Sequence, residues 1–187
     1  MTGLLIVISG PSAVGKDTVV RRLVERDPRL RYSVSYTTRP RRPYEKDGVH
    51  YSFVSVPEFQ RLLLNGELLE HAEYDGHLYG TSRRRVEDAR AQGRDVILKI
   101  DVQGAEQVRG KCPDGVFIFL APPSMDELVR RRDERGSESP EDGRARQELA
   151  EREMAYQCRY DRVVVNDDLD RAVGEILHII DSERVAA

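Results

Sequence analysis

The residues with the clearest chemistry are Gly10, Pro11, Ser12, Ala13, Val14, Gly15, Lys16, Asp17 and Thr18. Glycine, four residues, glycine and lysine is the spacing of a phosphate-binding loop. Its backbone N–H groups turn inward on an anion, the following helix N-terminus favours negative charge, and the lysine reaches the terminal phosphates. The expected ligand is a nucleoside triphosphate. Asp17 departs from the pattern, because that position ordinarily carries a hydroxyl that ligates Mg²⁺. A carboxylate there either binds the metal directly or stands in its outer shell; the outer shell is expected, since Mg²⁺ usually keeps several waters. Thr18 is no direct substitute, because one step along a helix turns a side chain by about 100°.

A second polar run, Ser35-Tyr36-Thr37-Thr38-Arg39-Pro40-Arg41-Arg42-Pro43, is followed by Asp47-Gly48-Val49-His50-Tyr51. Its prolines cannot continue a helix, and arginines three apart suit a small phosphate gripped by forked donors. Arg39 and Arg42 are the expected pair. On residue chemistry alone a solvated basic loop is an equal reading.

The elements that must position these residues alternate between strand and helix signals. Leu4 to Ser9 is a short continuous apolar run ending on Gly10, the mark of a buried parallel strand. Val19, Val20, Leu23 and Val24 then fall at helical spacing until Asp27-Pro28. Further parallel strands are expected at Asp95 to Asp101, Gly115 to Leu120 and Arg162 to Asn166, and a fifth at Tyr32 to Ser35. Helices are expected at Gly104 to Arg109, Ser124 to Glu134 and Leu169 to Ser182, with a capping box at Ser124 and Glu127. The fold class is α/β: a doubly wound parallel sheet of about five strands. Between Gly48 and Thr81 the rhythm breaks. Alternating stretches at Val49 to Val54, Leu68 to Tyr74 and Leu78-Tyr79 surround an Asp75-Gly76 turn, and a short helix is expected from Pro57 to Asn65. A small, mostly antiparallel subdomain is thus inserted into the parallel fold. Arg135 to Gln147 reads as a mobile loop, and Glu183 to Ala187 as a fraying tail.

At 187 residues the chain suits one domain with elaborations. A net charge of −3 provides no global basic field, so a nucleic-acid partner is not expected. Cys112 and Cys158 have neither metal-ligand spacing nor a disulfide framework, which fits a reducing, cytoplasmic setting. A strand beginning this near Met1 leaves no room for a leader, and no run approaches membrane-spanning length, so a soluble protein without a membrane partner is expected.

Eight segments in order carry a resemblance over nearly the whole chain. They are Gly10 to Thr18, Ser35 to Arg42, Asp47 to Phe53, Gly66 to Glu70, Tyr79-Gly80-Thr81, Asp101 to Gly104, Arg135-Gly136-Ser137 and Val165 to Asp170. Together the sequence resembles the guanylate kinases, a P-loop nucleoside monophosphate kinase family. The resemblance implies one domain in three parts: a core (1–32, 82–123 and 159–187), a GMP-binding subdomain (about 33–81) and a helical lid (about 124–158). It implies phosphoryl transfer from ATP to GMP, and to dGMP, with Mg²⁺ as cofactor, by a monomer or small homo-oligomer. ATP is then held by Gly10 to Thr18, Arg135 and Asn166, with Lys16, Arg39, Arg131, Arg135 and Arg146 catalytic. GMP is held by Ser35, Arg39, Arg42, Tyr51, Glu70, Tyr79, Gly80, Thr81 and Asp101. Guanidinium forks and phenols suit a phosphate dianion. One carboxylate at Glu70 can accept from both guanine N1–H and N2–H, a donor pair that adenine lacks. Asp17 and Asp101 are the metal-side residues, acting through water. His50, His71, His77 and His178 are incidental.

Three positions depart from the family pattern: Asp17, the lid positions Asp142-Gly143 with Gln147, and Lys99 where an acidic residue near the guanine is expected. Lys99 shares a strand face with Asp101, and a buried unpaired lysine is costly, so Lys99 is expected to pair with Asp101 or Glu70. Ribose bisphosphate phosphokinases also carry Gly-Lys-Asp in the loop and are one alternative. A guanylate-kinase-like binding module without activity is the other, disfavoured by the intact Gly10, Gly15 and Lys16.

Overall fold

Leu5-Ile6-Val7-Ile8 is apolar at every position because both faces of the strand are covered. Ile6 and Ile8 face one cluster, with Val19, Val20 and Leu23 from the first helix and Val173, Ile176 and Ile180 from the last. Leu5 and Val7 face the opposite cluster, with Val86, Ala105 and Val108 from two other helices. This two-sided burial makes the sheet doubly wound.

In the computed structural model, which describes residues 2–74, 76–133, 148 and 150–186, the core strands are β1 (Leu5–Ser9), β2 (Leu30–Tyr32), β7 (Asp95–Lys99), β8 (Val116–Ala121) and β9 (Arg162–Val165). They form one sheet in the order β2-β7-β1-β8-β9, and every pairing is parallel. Helices α1 (Lys16–Arg26), α3 (Arg83–Ala91), α4 (Val102–Lys111), α5 (Met125–Asp133), α6 (150–155) and α7 (Leu169–Ala186) accompany it. β3 (Tyr36–Thr37), β4 (Ser52–Phe53), β5 (Leu68–Tyr74) and β6 (His77–Ser82) form a second sheet in the order β4-β3-β6-β5. Its β3–β6 and β5–β6 pairs are antiparallel and its β3–β4 pair is parallel. Helix α2 (Val56–Leu64) packs Phe59 and Leu62 with Leu68 into a small core of their own.

The expected α/β architecture is the one observed, with four local differences. The outer strand lies at Leu30–Tyr32, not Tyr32 to Ser35: Leu30 is fully buried, its N–H closes a turn on the Asp27 carbonyl, and the ladder with β7 starts there. Of the stretch Val49 to Val54, only Ser52–Phe53 is strand; Val49 N–H and His50 N–H instead bond the Lys46 carbonyl in a turn. Helix α3 has no forewarning in the sequence, because Val86 is its only buried residue and leaves no apolar period to read; Ser82 Oγ caps it by accepting from Arg85 N–H. Of the expected fraying tail, Glu183 to Ala186 is helical: α7 continues to Ala186, held where Arg184 bonds Asp27, Asp95 and Asp181, and Ala187 lies outside the described residues. The Ser124 cap is present, its Oγ accepting from Glu127 N–H at 3.1 Å. Asp75, of the expected Asp75-Gly76 turn, and the expected loop Arg135 to Gln147 lie outside the described residues.

Candidate functional site

The phosphate loop leaves the carboxyl end of β1, at the centre of the sheet, where open α/β sheets bind ligands. Gly10 has φ 143°, and a Cβ there would lie 2.2 Å from the Leu120 carbonyl oxygen. Gly15 has φ 102°, and a Cβ there would lie 2.6 Å from Asn166 Nδ2. Gly10 is therefore demanded by close approach to backbone as well as by conformation, and Gly15 by conformation, with the Asn166 amide packed against it. Ala13, between them, also has positive φ (66°), a strained conformation that the loop closure imposes. Asn166 braces the turn by donating from Nδ2 to the Val14 carbonyl at 2.8 Å. Lys16 Nζ donates to the Gly10 and Pro11 carbonyls at 2.5 and 2.9 Å, folded along the loop it would leave to meet a phosphate. Burial pushes its pKa down, with Glu153 as the largest opposing charge.

In the loop between β3 and β4, Arg39 Nη2 donates to Glu45 Oε1 at 2.6 Å, and its guanidinium lies 5.6 Å from the Tyr51 ring centroid. Tyr51 and Tyr79 meet edge to face at 5.9 Å. Arg42 N–H donates to Glu45 Oε2 at 2.8 Å, while its side chain reaches Tyr44. Glu45 is 5 % exposed. Burial opposes its charge, but the Arg39 and Arg42 bonds win and hold its pKa below the ordinary carboxylate range. The structure thus brings Arg39, Tyr51 and Tyr79 together, with the Arg42 backbone on the same carboxylate. Glu45, which organises them, has no signal of its own in a loop rich in charges.

Glu70, on β5, is 3 % exposed and accepts a 2.6 Å hydrogen bond from Thr81 Oγ1 across the hairpin. Burial raises its pKa to about 7; Asp101 adds to the shift and Thr81 partly offsets it. A Cβ on Gly104 would lie 2.6 Å from Glu70 Oε2, so glycine at the start of α4 lets the carboxylate approach the helix. Asp101 caps that helix, its Oδ1 accepting from Gly104 N–H at 2.7 Å. Ser35 and Thr81 are buried, and Gly80 pairs with Tyr36.

Lys99 pairs with neither Asp101 nor Glu70. Its ammonium bonds Asp17 Oδ1 and lies 5.5 Å from the Tyr32 ring and 5.3 Å from the Tyr51 ring. Burial disfavours the charge, but these neighbours outweigh it and raise the pKa. The expectation fails because strand alternation fixes a face without fixing a partner: the side chain reaches forward to the start of α1.

Arg131 donates to Glu127 Oε1 at 2.7 Å and to the Asn166 carbonyl at 3.0 Å, next to the phosphate loop. Arg135, Arg146, Asp142, Gly143 and Gln147 lie outside the described residues. Sequence reasoning missed Glu153, buried on α6, whose Oε2 accepts from Ser12 N–H at 3.3 Å. Among the acids that surround it in the sequence, spacing singles out none.

Among the described residues, no group of three or more His, Cys, Asp or Glu side chains could hold a metal ion. The donor set at the loop, Asp17 with Asp101, fits a cation delivered on phosphate oxygens better than one caged by protein. No helix among the described residues is long and apolar enough to cross a membrane.

The guanylate kinase family model matches residues 2–183. The chain is 50 % identical to a guanylate kinase of Desulfitobacterium hafniense over 182 residues, 97 % of this chain and 91 % of that one. A guanylate kinase of Symbiobacterium thermophilum is 52 % identical over 97 % of this chain and 86 % of its own. The crystal structure of guanylate kinase from Anaplasma phagocytophilum superposes with a TM-score of 0.81 at 37 % identity, covering 97 % of this chain and 86 % of that chain. With its phosphate loop, its arginine and tyrosine cluster and its buried glutamate in one molecule, the chain belongs to the guanylate kinase family.

Proposed function

We propose that the chain transfers the γ-phosphoryl group of ATP to GMP, forming ADP and GDP. An oxygen of the GMP phosphate attacks the γ-phosphorus as its bond to the β–γ bridging oxygen breaks. The loop Gly10 to Thr18 binds the donor phosphates, Asn166 sustains the loop, and Lys16 leaves its carbonyl partners for the triphosphate. Arg39, Arg42, Tyr51 and Tyr79 hold the acceptor phosphate; Glu70, with Thr81, Ser35, Gly80 and Asp101, holds the guanine. Arg131, joined by Arg135 and Arg146, neutralises charge that spreads over the transferred oxygens. In this reading residues 33–81 form the acceptor part and 124–158 the lid of a single domain. Mg²⁺ on the donor would neutralise the β- and γ-oxygens, with Asp17 and Asp101 facing its water shell.

The observation that carries the acceptor assignment is Glu70: a buried carboxylate bonded to Thr81, on the small sheet that also carries Tyr79 and from which the arginine loop springs. Ionised, it accepts from both donors of a guanine edge; facing adenine, it meets no such pair. The Asp17 that suggested a ribose bisphosphate acceptor is accounted for by its bond to Lys99. The test is phosphorylation with ATP and Mg²⁺ of GMP, AMP, UMP, CMP and ribose bisphosphate side by side. GDP formation at least about 100-fold more efficient than any competing reaction is expected, well within the roughly 10⁴-fold or greater discrimination open to a site built to hydrogen-bond its substrate.

A further inference from the structure

Lys99 occupies a place that neither half of the site accounts for. It ends β7 of the core sheet, its side chain 11 % exposed, and its ammonium bonds Asp17 on α1 while lying over the rings of Tyr32 and Tyr51. Tyr51 is also the ring beside which the Arg39 guanidinium sits, and Tyr79 packs edge-on against it. A line of contacts therefore runs from Asp17 at the end of the phosphate loop, through Lys99, to Tyr51 and Arg39 in the acceptor cluster, with Lys99 the cation at its midpoint.

The Asp17 carboxylate, itself 73 % exposed, and the Tyr32 and Tyr51 rings keep this buried ammonium charged between two phosphate-binding clusters. A dianionic phosphate seated at Tyr51 would meet that charge directly. We infer that Lys99 is a ligand of the acceptor phosphate, and that it also neutralises the Asp17 carboxylate, which would otherwise repel the acceptor phosphate. The inference rests on GMP being the acceptor.

The two roles make opposite predictions for the two partners. By calorimetry without ATP or metal, Lys99→Met, which keeps the stem's volume, should weaken GMP binding at least about tenfold, the effect of losing one charge-assisted contact and exposing Asp17 to the phosphate. Asp17→Ser should leave GMP binding as tight as wild type or tighten it, because the ammonium stays and the repelling carboxylate goes. In steady state, Lys99→Met should raise KM for GMP more than it lowers kcat. If Lys99 only braces the fold, both variants lower the melting temperature and weaken GMP alike; that result, or a Lys99→Met dissociation constant within about twofold of wild type, overturns the inference. Asp17 is exposed, so its variant remains decisive even if Lys99→Met does not fold: weakened GMP binding by Asp17→Ser overturns the inference, because removing a repelling carboxylate while the ammonium stays should cost no affinity. Wild-type protein that binds no GMP would instead refute the acceptor assignment.

Discussion

Glu45 and Glu70 are two buried carboxylates in one small subdomain, and their surroundings drive them in opposite directions. Glu45 is met from within: the Arg39 guanidinium and the Arg42 N–H keep it ionised in the free protein. Glu70 is buried with Thr81 as its hydrogen-bond partner and no guanidinium beside it among the described residues, so burial outweighs the support for its charge and its pKa rises to about 7. A carboxylate whose partners are already in place is a frame, whereas one short of donors is shaped for donors that arrive with a ligand. The arginine loop is thus preorganised, while in the proposed function the pocket around Glu70 would gain its full complement of hydrogen bonds from an entering guanine edge.

The largest effect should come from breaking the frame at its charged member. Arg39→Ala removes a phosphate donor and strands Glu45 as a buried unpaired charge, so kcat/KM for GMP should fall about 10³-fold with a clear loss of thermal stability. Glu70→Gln should come next, lowering kcat/KM for GMP about 100-fold, because an amide accepts from one guanine donor and opposes the other. Here stability should move the other way. The folded pKa of Glu70 lies above its unfolded value, so the folded protein binds more protons between pH 4.5 and about 7, and its stability declines as pH rises through that window. Thermal denaturation of Glu70→Gln should lack this decline and show a higher melting temperature than wild type at pH 8.

Glu45→Gln is a milder blow to the frame, leaving an acceptor for Arg39 but no charge. KM for GMP should rise about tenfold with kcat changed less. The smallest effect is a proton count. GMP needs Glu70 ionised, so binding near pH 7 should release about half a proton to buffer, read from calorimetry in buffers of different ionisation enthalpy. The phosphate's own titration near pH 6 contributes equally to Glu70→Gln and cancels in the difference.

Much of this architecture is legible in the sequence because its signals are local. The apolar run of β1 and the glycines of the loop each state a backbone requirement within a few residues, and the core sheet follows from four such runs. The site is less legible where partners come from afar. Asp17 and Lys99 are 82 residues apart, and no period or spacing connects them. Glu153 reaches the loop from 141 residues away. Glu45 is close to Arg39 in sequence, but it sits in an irregular loop where every charge reads as solvated. Helix α3 lacks an apolar stripe because only Val86, with the small Ala89 beside it, faces the core.

The central claim is that a guanine edge completes the Glu70 pocket, and the direct measurement is calorimetric titration of GMP and AMP into wild type and Glu70→Gln at pH 8. The account predicts that wild type binds GMP at least about 100-fold more tightly than AMP, and that Glu70→Gln loses most of this preference by weakening GMP alone. Equal affinities in the wild type, or a Glu70→Gln variant that keeps the full preference, would contradict it.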